Sequence, residues 1–95
     1  MSAYGRSILA LVEAVLVGLE CTLVLSTDNH YQWDMGEHRQ LHLAGNCRTD
    51  GQRDDTWGLQ LWDHSEAPCE WIKPDDSPEA KQVKIERVLR SLLIS

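Results

Sequence analysis

His38 and His42 lie four residues apart, with Cys47 five further on, and this is the nearest approach to a metal motif in the chain. On a helix, imidazoles at i and i+4 share a face and can grip zinc. Here the surrounding residues alternate like a strand, which would hold the two histidines about 13 Å apart. Arg39 also stands where a zinc-hydrolase motif carries Glu. Thiol catalysis would draw on Cys47 or Cys69 with His64 or His42, but no local signature places nucleophile, base and orienting acid together. The reading is a protein with no catalytic residues, no cofactor and no metal.

A second constellation is electrostatic. Asp50, Asp54, Asp55, Asp63, Glu66, Glu70, Asp75 and Asp76 fall in predicted connections close to Trp57, Trp62 and Trp71. Residues 50–79 carry nine acids against two bases, residues 1–49 five against three, and residues 80–95 one against four. The net charge of −6 therefore concentrates in the middle of the chain. Carboxylates interspersed with indoles suit an Arg- or Lys-rich protein surface. Direct nucleic-acid binding would call for a broad basic face, which this chain lacks outside its last helix. The predicted partner-binding residues are Asp50, Asp54, Asp55, Trp62, Asp63, Glu66, Trp71, Asp75 and Asp76.

The expected function is that of a small acidic, non-enzymatic interaction protein. Its size and charge are those of an inhibitor, immunity or phage anti-defence protein that binds a basic, nucleic-acid-handling partner. The alternative is a homodimeric assembly protein or chaperone-like adaptor joined through its first helix.

The elements that must position these residues are organised around Ile8 to Leu25, where fourteen of eighteen positions are Ala, Val, Ile, Leu or Cys. Ile8, Leu11, Val12, Val15, Leu16 and Leu19 have helical spacing, so residues 4–18 read as a helix. Its far side carries Ala10, Ala14 and Val17 with Glu13, which predicts burial on more than one side or a dimer interface at Ala10, Glu13, Ala14 and Val17. The run resembles the start of a signal peptide or membrane span. Glu13 and Glu20 interrupt it, and no small-x-small cleavage site precedes Cys21. A cytoplasmic chain outside the membrane is expected. Three cysteines at no framework spacing read as reduced thiols.

Alternation of apolar and polar residues predicts strands at 19–26, 30–35, 38–44 and 57–62, with a short edge strand available at 70–73 before Pro74. An Asp50–Gly51 two-residue turn would set Leu43 against Gly58 and Leu41 against Gln60, putting the apolar sets on opposite faces. The hairpin therefore needs a bulge near Gly45 or an irregular tip. Ser77-Pro78-Glu79 marks a helix start, and Ile85, Val88, Leu89 and Leu92 form its stripe to about Leu93. The predicted fold, a single α+β domain over residues 1–95, is a four-stranded antiparallel meander between an N-terminal and a C-terminal helix, both on one face.

Overall fold

The computed structural model describes residues 3–47, 53–63, 67–73 and 75–93. The order is α1 (Ala3–Leu16), β1 (Thr22–Ser26), β2 (His30–Gly36), β3 (Arg39–Cys47), β4 (Arg53–Trp62), β5 (Cys69–Ile72), α2 (Pro78–Val88) and α3 (Arg90–Leu93). The strands form one antiparallel sheet in chain order. The α+β class holds, with five strands rather than four. Cys69–Ile72 joins because Ile72, opposite Trp57, gives it a fully buried anchor.

Directly opposed residues of an antiparallel pair share a face. Leu41 opposes Leu61 and Leu43 opposes Leu59, so the apolar sets of β3 and β4 coincide. The register shifts between Gly45 and Cys47, but by two residues, so the faces stay in phase on both sides of the shift; the pair Cys47–Arg53 already excludes the two-residue Asp50–Gly51 turn, which would have put them out of phase. Strand pairing continues to Cys47 opposite Arg53, further than alternation alone predicted.

One face carries Tyr31, Trp33, Met35, Leu41, Leu43, Trp57, Leu59, Leu61 and Ile72, all buried. Ile8, Val12 and Leu16 of α1 join Ile85, Val88 and Leu89 at the end of α2 in the same cluster, so both helices cover this face. Full burial of each aliphatic side chain contributes about 1.5–3 kcal/mol.

Of the two expectations for the first helix, burial on more than one side is not met. The helix packs on one side only, because its opposite side is built from small Ala residues: Ala10, Glu13 and Ala14 are exposed, and Val17 is 85% exposed. The strand that follows starts at Thr22, not Leu19, and all five of its residues are exposed. A bulge between Leu23 and Leu25 breaks the predicted alternation, and among the described residues no strand lies beyond this edge of the sheet. Leu19 and Cys21 still pack against the core, and among the described residues it is the stretch from Thr22 to Leu25 that stays uncovered.

Three local signals organise the connections. The Thr27 hydroxyl accepts the His30 N–H at 3.0 Å, and Thr27 N–H donates to the His30 carbonyl at 2.9 Å, which fixes the start of β2. The β2–β3 hairpin turns at Glu37 and His38, with φ of 54° and 64°, after Gly36 at 77°. Positive φ at both central residues is the feature of a type I′ turn. Ser77 caps α2 by accepting the Ala80 N–H at 3.1 Å. The C-terminal helix breaks at Leu89, whose φ and ψ of −93° and 9° leave the helical region, so the predicted single helix becomes two.

Candidate functional site

The sheet face away from the helices is the candidate site. Its residues fall in three rows set by strand register. Asp34, Gln40 and Trp62 form one row. Leu25, Gln32, His42, Gln60 and Cys69 form the second. His30, Ala44, Gly58 and Trp71 form the third. No described helix packs here, because the polar alternate positions of β2, β3 and β4 give helices no apolar surface to bury.

Two of the four tryptophans stand on this face. Trp62 is 54% exposed and Trp71 52%, whereas Trp33 and Trp57 are buried on the helix side. Residue parity decides the division: Trp33 and Trp57 align with the apolar positions of their strands and Trp62 with the polar ones. Trp71 lies over Gly58, where an added Cβ would stand 3.0 Å from the ring. Glycine at that position admits the indole flat against the sheet. His42, Gln60, Cys69 and Trp71 line a shallow cleft of about 210 Å³ above the small residues Ala44 and Gly58.

The histidine pairing differs from the spacing-based reading. His38 sits exposed in the β2–β3 turn, and His42 sits in mid-strand. His42 instead meets His30, its diagonal neighbour across β2 and β3. The His30 Nε2 to His42 Nδ1 distance is 3.2 Å, and the rings lie 5.4 Å apart. His42 Nε2 is 3.2 Å from Gln40 Oε1, and the edge of Trp62 approaches the His42 ring at 6.2 Å between centroids. Burial, and then the charge of His30, hold the His42 pKa below the ordinary histidine value. Only a strand-pairing register could have revealed this pair.

The thiol candidates are parted. Cys69 and His42 share a row but stand two strands apart, about 10 Å, beyond a proton-transfer hydrogen bond. Burial, and then the Glu70 charge, push the Cys69 thiol up, which disfavours the nucleophilic thiolate. The side chain of Cys47 and all of His64 lie outside the described residues.

The predicted partner-binding residues divide three ways. Trp62 and Trp71 share the open face, and Asp75 is exposed in the turn before α2. Two carboxylates face inward contacts instead. Asp63 lies on the helix side, where it accepts the Ser91 hydroxyl at 3.5 Å. Asp76 accepts the Lys84 ammonium at 2.6 Å and the Lys73 N–H at 2.9 Å, and these bonds hold its carboxyl below the usual range. Asp50, Glu66 and the side chains of Asp54 and Asp55 lie outside the described residues. The sequence reading missed Asp34, an exposed carboxylate in the Trp62 row. Its alternation with Trp33 and Met35 was the available signal.

The chain matches no protein-family model, and neither a curated protein nor a solved structure matches it. No described helix is long and apolar enough to cross a membrane.

Proposed function

We propose that this protein is a non-enzymatic interaction protein, of the inhibitor, immunity or phage anti-defence type, that binds a basic, nucleic-acid-handling protein through its open sheet face. One observation carries the reading: two half-exposed indoles, Trp62 and Trp71, stand on the helix-free face of a chain with net charge −6. Arg or Lys over an indole face gains about 0.5–2 kcal/mol. The acidic field raises the encounter rate with a cationic partner. Asp34, Gln32, Gln40 and Gln60 supply acceptors around the rings for guanidinium or ammonium donors.

The test is capture from lysate on the immobilised protein, eluted in rising salt and identified by mass spectrometry. The expected result is a basic, nucleic-acid-handling protein released as salt rises. Its affinity should fall at least about tenfold in Trp62→Ala, or 1.4 kcal/mol. A partner that binds equally to Trp62→Ala and Trp71→Ala removes this face from the account.

A second reading is favoured by a separate observation. Ala10, Glu13 and Ala14 face solvent along α1, with exposed Val17 just past its end, a surface suited to a homodimer. Antiparallel self-pairing of β1 about Val24 would set Glu20 opposite Asp28, a like-charge pair, so the helix rather than the strand serves this interface. Light scattering at micromolar concentration decides it: a dimer dissociated by Val17→Glu supports the reading, and a monomer removes it.

A further inference from the structure

We propose that His30 and His42 form a two-imidazole site for a borderline divalent transition ion of the zinc and nickel class. The geometry rests on the separation of two lone-pair positions. At a Zn–N distance of 2.0–2.1 Å and a tetrahedral angle, two coordinating nitrogens stand about 3.3 Å apart. The nitrogens of His30 and His42 stand at 3.2 Å. An ion at those distances stands off the line joining the two nitrogens, and a turn of each ring about its side-chain torsions aims its lone pair there.

The proton arrangement fits as well. Gln40 Oε1 can only accept, so the His42 nitrogen 3.2 Å from it, Nε2, carries the hydrogen. That leaves Nδ1 with its lone pair directed at His30. Donation of the far ring N–H to a carbonyl oxygen is the usual support for a metal-bound imidazole, because it sets the tautomer and raises ligand basicity. Without metal, His30 Nε2–H donates to His42 Nδ1. The ion displaces that hydrogen bond, and His30 moves its hydrogen to Nδ1, so each ring remains neutral.

The two ligands are held before the ion arrives. His30 is set by the Thr27 turn and His42 by pairing on both sides in the middle of β3. Both rings are half-buried on the uncovered face. Among the described residues no group of three His, Cys, Asp or Glu gathers around one point. The remaining coordination positions therefore belong to water, and imidazole with water suits zinc, nickel and copper. The site shares the open face with the proposed partner surface, but ion binding does not rest on that reading and is tested on the chain alone.

The test is calorimetric titration of the full chain with Ni²⁺ and, separately, Zn²⁺, followed in parallel by tryptophan fluorescence under Ni²⁺. Trp62, beside His42, serves as the reporter, since a paramagnetic ion close to an indole quenches it. Binding of one ion per chain is expected, weakened at least tenfold in His30→Ala and in His42→Ala. His38→Asn, which suits the positive φ of that turn position, should bind as the native chain does. Trp62→Phe should keep the stoichiometry and lose most of the quenching. Equal binding by the native chain and His30→Ala overturns the proposal. So does a loss in His38→Asn as large as that in His42→Ala.

Discussion

Asp76 offers the sharpest test of how this fold holds together, because the sequence marks it as part of an acidic patch and the structure places it in a joint. Its carboxylate bonds the Lys84 ammonium of α2 at 2.6 Å and the Lys73 N–H at the end of β5 at 2.9 Å. Lys84 also donates to the Trp71 carbonyl at 2.7 Å. One ammonium thus ties the last strand, the turn and the second helix. The side chains are 22% and 16% exposed, Lys84 and Asp76 respectively, so the pair is screened less than a surface ion pair. Hydrogen bonds to charged groups contribute about 1.5–3 kcal/mol each when well placed, and exposed pairs only about 0.2–1. In Asp76→Asn the amide oxygen still accepts the Lys73 N–H, and what is lost is the charge facing Lys84. The expected cost is about 2 kcal/mol, which lowers the melting temperature by about 10 °C in a domain of this size.

The pH dependence has a definite sign. The folded carboxyl is held below its unfolded value, first by the Lys84 bond and then by the Lys73 N–H. The stabilisation is therefore complete above the unfolded carboxylate pKa of about 3.9 and disappears as pH falls through the folded value. Thermal melts of both chains from neutral to acid pH should show a wide gap that closes below about pH 4. A variant melting within about 2 °C of the native chain at pH 7, less than a 1 kcal/mol loss would give, refutes the joint. A gap independent of pH refutes its electrostatic origin.

Two further outcomes follow from the geometry. Glu37 and His38 hold positive φ without being glycine, at about 1–2 kcal/mol each, and glycine adds back about 0.5–1 kcal/mol of entropy. Glu37→Asn with His38→Gly should stabilise the fold by about 1 kcal/mol, a rise of about 4–8 °C in melting temperature; no rise would mean that the turn is unstrained. Burial raises the Cys21 thiol, while burial followed by the Glu70 charge raises Cys69. Alkylation at pH 8, assigned to each cysteine by peptide mass spectrometry, should be slower at both than in free cysteine. Labelling of Cys69 as fast as free cysteine would remove the thiolate argument.

Local pattern was sufficient for most elements, because period and capping are read from neighbours along the chain. Ser77 and Pro78 announced α2, and alternation placed Tyr31, Trp33 and Met35 on one face of β2. The phase conflict between Leu43 and Gly58 argued against a two-residue Asp50–Gly51 turn, and the observed register, with Leu43 opposite Leu59, has none. Hydropathy failed at β1. Leu23, Val24 and Leu25 belong to the most apolar run of the chain, yet they are exposed at 48%, 54% and 36% because the strand occupies the sheet edge.

By itself, then, the sequence determined the element types, their order, the inward faces of the central strands and the acidity of the chain, since each depends on residues within a few positions or on a simple sum. The tertiary structure alone decided which side of the sheet the helices leave open. It also decided that His42 meets His30 rather than His38, that Trp62 and Trp71 share a surface, and that Asp63 and Asp76 turn to Ser91 and Lys84. These are contacts across strands or between layers. Each depends on registers and packing directions fixed by many residues at once, so no short stretch of the chain encodes them.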